Sequence, residues 1–192
     1  MMFYIENTEK TARLKMINVL FADGFEEVEA LTVVDMARRA NINVEMISLN
    51  DDLFVTGSHG ITVKCDKLLK DAQLLEGIVL PGGIPGVPNV EKNELAVKLI
   101  KEHNKKGKLV AAICAAPTLL GREGLLSDSV AVCYPDMMGQ LICKEKGNLK
   151  VITDKNIITS QSAGTAMEFA FEIIKYLKDE NTAENVKKSI YY

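Results

Sequence analysis

The segment Lys108-Leu109-Val110-Ala111-Ala112-Ile113-Cys114-Ala115-Ala116-Pro117-Thr118-Leu119-Leu120-Gly121 constrains this chain more than any other. A short apolar run ends abruptly at a cysteine, and small residues with a proline follow. The pattern predicts a buried strand, a sharp turn carrying Cys114, and a helix. Such a turn lifts its side chain above the carboxyl edge of a sheet and needs small neighbours, because backbone crowds it on both sides. Ala112 and Ala116 meet that need. Pro117 suits a first helical turn, where an amide hydrogen would lack a partner. The competing reading is an inert core cysteine, the usual fate of a cysteine in an apolar run.

Reactivity depends on the thiolate, and a free thiol near pKa 8.5 is only about 3% ionised at pH 7. A helix N-terminus carries partial positive charge and unpaired amides, so the turn is expected to hold Cys114 as an anion. A pKa of about 6 would enlarge the thiolate population roughly thirty-fold, less the nucleophilicity lost with basicity.

The rest of the chain supplies a scaffold for that turn. Residues 16–22 read as a buried strand, followed by Asp23-Gly24-Phe25 and a helix over about 26–40 with Val28, Leu31, Val34, Met36 and Ala37 inward. A strand over 44–49 and a hairpin punctuated by Asp51-Asp52 and Thr56-Gly57-Ser58-His59-Gly60 come next. Ile78-Val79-Leu80 is another buried strand and runs into Pro81-Gly82-Gly83-Ile84-Pro85-Gly86. A helix over about 90–106 is expected to bury Leu95, Ala96, Leu99 and Ile100. After the cysteine come strands near 130–132, 149–153 and 156–159, then a core helix over about 164–177. Asn181 with Glu184 resembles a capping box for a terminal helix.

Strands alternating with helices imply an α/β sandwich, its mostly parallel sheet covered on both faces. Ligands bind such sheets at the carboxyl ends of the strands. Three loops at those ends carry unusual residues: 23–29, 81–86 and 114–117. Glu26, Glu27 and Glu29 crowd one helical turn. The first two read as complements to the helix dipole. Glu29 borders the apolar stripe, so it is expected to point inward and to stay protonated beside the sulfur. Gly82-Gly83 lets backbone approach a ligand, and the amides of Gly83 and Ala115 would form an oxyanion pocket. The loop is neither a G-x-G-x-x-G fingerprint nor a Walker loop.

Composition narrows the function. With 192 residues, 47% of them hydrophobic, the chain can bury one good core, assigned to residues 16–192. Residues 1–15 are polar, lack the apolar core of a secretion signal and are set apart as an N-terminal extension. A net charge of −3 excludes a general nucleic-acid binder. No apolar stretch reaches the length of a membrane span. Cys65, Cys114, Cys133 and Cys143 show no C-x-x-C spacing and no histidine companions, so no metal site is expected. Reduced thiols in the cytoplasm are the default. His103 reads as structural and His59 as a solvated turn residue, so a Cys-His-Asp protease is unsupported.

Four ordered motifs now carry a resemblance: Phe21-Ala22-Asp23-Gly24-Phe25-Glu26-Glu27-Val28-Glu29, Val79-Leu80-Pro81-Gly82-Gly83, Ala111-Ala112-Ile113-Cys114-Ala115-Ala116-Pro117 and Thr159-Ser160-Gln161-Ser162-Ala163-Gly164-Thr165. Over residues 16–177 the chain resembles the ThiJ/PfpI superfamily, in the subgroup of the parkinsonism-associated deglycase. The resemblance implies a flavodoxin-like three-layer sandwich, a homodimer, a low-pKa elbow cysteine at Cys114, a protonated glutamate at Glu29 and oxyanion amides at Gly83 and Ala115. It also implies a glyoxalase or deglycase without cofactor, acting on methylglyoxal or glyoxal and their adducts. An oxidative-stress sensor or protective chaperone-like protein, working through oxidation of Cys114, is the alternative. The chain departs from the family in places. Tyr134 stands where a histidine is usual, Ser162-Ala163-Gly164 replaces Gly-Pro-Gly, and His59 takes the place of an arginine near the dimer interface. Ala115 replaces the histidine of the protease branch, which argues against peptidase activity.

Overall fold

The computed structural model describes residues 15–192, so all but the last residue of the expected N-terminal extension lies outside the described residues. The first strand, β1 (Met16–Phe21), leads into α1 (Glu27–Arg39) and then β2 (Asn43–Ser48). A hairpin, β3 (Phe54–Thr56) and β4 (Thr62–Lys64), stands apart from the main sheet, and β5 (Lys67–Leu68) rejoins it. Next come β6 (Gly77–Leu80), α2 (Gly86–Lys92), α3 (Glu94–Lys105), β7 (Leu109–Ile113) and α4 (Ala116–Arg122). The small pair β8 (Val130–Ala131) and β9 (Glu145–Lys146) forms its own ladder. The chain closes with β10 (Val151–Asp154), β11 (Ile157–Ser160), α5 (Ala166–Leu177) and α6 (Glu180–Ser189).

The seven-stranded sheet has the order β10-β11-β7-β6-β1-β2-β5, parallel throughout except for β10 on β11. The flavodoxin-like α/β expectation holds. Alternation explains the two layers: Leu109, Ala111 and Ile113 of β7 join the core under α1 and α5, while Val110 and Ala112 join the core under α2, α3 and α4. From β5, at the edge beyond β2, the chain returns across β2 and β1 to build β6, so strand order reverses between β1 and β6. That reversal opens a crevice at the carboxyl edge, the usual ligand position in such sheets.

Four expectations need correction. The helix read as continuous over 90–106 is two helices, because Asn93 ends α2 and caps α3, its side chain accepting from the amides of Leu95 and Ala96. That cap leaves Leu95 on the solvent side, 46% exposed. Val28 is 53% exposed as well, since the inward face of α1 runs through Glu29, Ala30 and Val33. The terminal helix is capped by Asp179, which accepts from the Thr182 amide at 2.7 Å, and Asn181 lies inside the helix. At the α2–α3 junction and at the terminal helix side-chain type was compatible with the expectation, and cap hydrogen bonds worth about 1 kcal/mol settled the boundary.

Candidate active site

Three neighbouring strands, β1, β6 and β7, deliver three loops to one place. The loop after β1 is pinned by Phe25, which is buried and stacks edge-on against Phe21 with ring centroids 4.8 Å apart. Burying such a ring contributes about 2 kcal/mol, enough to hold a short loop against the sheet. Glu26 then caps α1, its Oε2 accepting from the Glu29 amide at 2.7 Å. This cap sets the first helical turn and turns Glu29 back toward the sheet edge.

Glu29 is 1% exposed, and its Oε2 accepts the Gly82 amide hydrogen at 2.7 Å. Its other oxygen, Oε1, is buried with no hydrogen-bond partner. Burial raises the carboxyl to about 7, against the Gly82 amide, the Cys114 side chain and the Ala163 amide, which favour the anion, while the Glu26 charge adds to the rise. A half-protonated carboxyl at neutral pH is the outcome.

Cys114 occupies the turn between β7 and α4 with φ +64, a left-handed conformation rare for a residue with a side chain. Its amide donates to the Ser160 carbonyl at 3.0 Å and its carbonyl accepts from the Tyr134 amide at 2.8 Å, so two loops clamp the turn. Backbone strain of this kind persists only where surrounding bonds over-determine it. Gly82 completes the fit. A methyl group there would lie 2.6 Å from both Cys114 Cβ and Glu29 Oε2. Gly83, at φ +99, would drive a side chain into the backbone of Gly24, Phe25 and Glu26.

The surroundings of Cys114 act against the expected thiolate. Burial first, then the charge and hydrogen bond of Glu29, push the Cys114 thiol up to about 12, and the Ala115 and Gly83 amides only partly offset them. The α4 helix has seven residues, and its terminal dipole is outweighed by a carboxylate packed against the sulfur. The two groups are coupled: the thiol's hydrogen bond favours the Glu29 anion, and that anion disfavours the thiolate. The backbone amides of Gly83 and Ala115 favour the anion at the sulfur.

The remaining sequence candidates divide. Tyr134 reaches Cys114 through its backbone, and its side chain lies on a residue that is 39% exposed. His59 binds Glu27 instead, its Nδ1 2.8 Å from Oε2 and its amide donating to Oε1 at 2.7 Å. His103 is fully buried, with Nδ1 donating to the Leu99 carbonyl and Nε2 accepting from Leu75, a structural pairing in which burial lowers its pKa. Sequence reasoning missed Glu27, which is 4% exposed and ties the hairpin turn to α1 through Ser58, His59 and Ile61. The signal was Gly57, whose missing side chain leaves room for that carboxylate. Donor atoms of Glu26, Glu27 and His59 lie within 4.8 Å of one another and could hold a metal ion.

Residues 15–176 match the DJ-1/PfpI family. The chain belongs to the DJ-1/PfpI family. Within this family it is 36% identical over 162 residues to Protein DJ-1 homolog B of Arabidopsis thaliana, covering 83% of this chain but 37% of that longer protein. It is 30% identical over 183 residues to the glutathione-independent glyoxalase DJR-1.2 of Caenorhabditis elegans, covering 93% of this chain and 97% of the relative. Among solved structures, oxidized DJ-1 of Toxoplasma gondii superposes with a TM-score of 0.90 at 34% identity, covering 93% and 98% of the two chains. The DJ-1 subgroup expected from the motifs is thereby supported.

Proposed function

We propose that this protein is a cysteine-dependent glyoxalase or deglycase that acts on methylglyoxal, glyoxal and their adducts without a cofactor. The observation carrying this reading is the Glu29 carboxyl, poised near neutrality against a strained Cys114 with only one oxygen hydrogen-bonded. The name of the Caenorhabditis elegans relative supports the same chemistry.

In this reading Glu29 is the base that takes the Cys114 proton. As sulfur adds to the aldehyde carbon, the thiol proton passes to the Glu29 carboxylate and on to the alkoxide that forms at the Gly83 and Ala115 amides, giving a hemithioacetal and leaving Glu29 a carboxylate again. Glu29 then takes the proton from that carbon and returns one to the neighbouring carbon. The former aldehyde is thereby oxidised to a thioester while the ketone is reduced to an alcohol. Water cleaves the thioester, restores the thiol and releases lactate. The net change is addition of one water, so no external oxidant or reductant is needed. A carboxyl near 7 suits both directions of transfer.

A homodimer and a cytoplasmic setting belong to this proposal. Val28, Phe54 and Ile61 remain more than half exposed on α1 and the hairpin, an apolar surface suited to a second copy. Among the described residues no helix is long and apolar enough to cross a membrane. The second reading, a sensor in which Cys114 is oxidised to sulfinate and held by Glu29, is favoured by the partial exposure of Cys114 and by the oxidized state of the Toxoplasma gondii relative. Purified protein with methylglyoxal and no glutathione separates the two. Lactate formation that disappears in Cys114→Ser supports the enzyme, and selective peroxide oxidation of Cys114 without turnover supports the sensor.

A further inference from the structure

Gly83 and Ala115 belong to different loops, and a continuous chain of hydrogen bonds runs between them. Arg122, the last residue of α4, grips Glu91 of α2 in a two-pronged contact: Nε donates to Oε1 at 2.6 Å and Nη2 to Oε2 at 2.9 Å. Its remaining nitrogen, Nη1, donates to the Thr118 hydroxyl at 3.1 Å. A guanidinium accepts nothing, so the hydroxyl proton is available for the Ala115 carbonyl, which takes it at 2.7 Å. At the other end, the Val87 amide in the first turn of α2 donates to the Gly83 carbonyl at 3.0 Å. We infer that Arg122 is a positioning residue, fixing through Glu91 and Thr118 the relative placement of the Gly83 and Ala115 amides around Cys114. Its catalytic meaning rests on the oxyanion role proposed above for those two amides.

Exposed ion pairs contribute little as a rule, because two long side chains must be ordered for a weak attraction. This pair is forked, which adds geometric definition, and its third bond reaches a hydroxyl on a residue that is 1% exposed. The helices it joins have seven residues each, too short to hold their orientation through helical bonds alone. On its other side α2 is already tied to the loop after β1. The Gly86 amide donates to the Gly24 carbonyl at 3.1 Å, and Asn89 Nδ2 donates to the Asp23 carbonyl at 2.9 Å. Arg122 supplies the matching tie to the cysteine turn. An oxyanion amide works only at about 2.7–3.1 Å from the developing charge, so a shift of a few tenths of an ångström forfeits part of a contribution worth about 10²–10³ in kcat.

Arg122→Gln and Thr118→Val break the chain in its middle while keeping most of the side-chain bulk. In each, kcat for methylglyoxal should fall about tenfold with KM within about twofold of the parent, because oxyanion bonds tighten mainly in the transition state. Adding Glu91→Gln to Arg122→Gln should cost nothing further, since partners in one chain of bonds are not additive. Arg122→Lys, which keeps the charge and one prong, should recover part of kcat. The second readout is alkylation of Cys114 against pH, whose midpoint should move to higher pH in Arg122→Gln and Thr118→Val as the amides that favour the sulfur anion are displaced. Circular dichroism checks that each variant is folded. Folded variants with the parental kcat and the parental alkylation midpoint overturn the inference, as does a lowered melting temperature with kcat per folded molecule unchanged. If the parent converts no methylglyoxal, the glyoxalase reading fails instead, and the alkylation midpoint alone decides whether Arg122 places the amides.

Discussion

Glu27 and Glu29 lie two residues apart on the first turn of α1, both buried, and they titrate at opposite extremes. Burial alone would raise Glu27, but the His59 ring and the amides of His59 and Ile61 outweigh it and hold the carboxyl at about 2. Glu29 has burial, one amide at hydrogen-bond distance and a sulfur beside it, and stands at about 7. The lesson is that a carboxyl's charge follows the balance between depth of burial, which wins at Glu29, and the donors aimed at it, which win at Glu27. The hairpin side of the turn is a structural anchor, and the sheet side is left under-satisfied, as the proposed proton transfer calls for.

The sharpest way to break the contrast is Glu29→Gln, which keeps an acceptor for Gly82 but removes the titrating proton. Methylglyoxal conversion should fall about 10²–10⁴-fold, and the limb of the pH profile near 7 should vanish. The Cys114 thiol should titrate lower in this variant, because the neighbouring charge is gone; alkylation rate against pH reads this directly. An unchanged alkylation profile would refute the coupling.

Stability against pH sharpens the contrast next. Glu29 releases its proton near 4.5 when unfolded and near 7 when folded, so rising pH across that window destabilises the protein, by on the order of 3 kcal/mol at most. Glu27 does the reverse: its contribution is complete above 4.5 and is lost as pH falls toward 2. Denaturant unfolding at a series of pH values should show both limbs, with the first flattened in Glu29→Gln. Gly82→Ala should cost about 1–3 kcal/mol and impair turnover, because its methyl group has no room between sulfur and carboxylate. The smallest effect is expected for His59→Ala. It removes one exposed partner of Glu27, so the acid limb should move toward higher pH while activity changes little.

Much of the scaffold could be read from residue pattern. Mostly apolar runs at 16–21, 77–80 and 109–113, bounded by turn residues, read as strands covered on both faces, and the cysteine ending the last one marked the turn. Helix boundaries were less legible, since Asn93 and Asp179 are unremarkable until their oxygens find particular amides. Glu27 escaped notice for a related reason. Its partners lie more than thirty residues away, on a hairpin whose docking is written in no local period.

Sequence by itself determined the layers, the strand–turn–helix around Cys114 and the inward placement of Glu29, because these follow from local periodicity and steric need. Tertiary structure alone decided the protonation of the pair. A thiol expected as an anion is pushed up by burial and by the carboxyl beside it, and burial raises that carboxyl in turn. Charge state depends on every dipole and every excluded water around a group, and those are assembled only when distant loops meet.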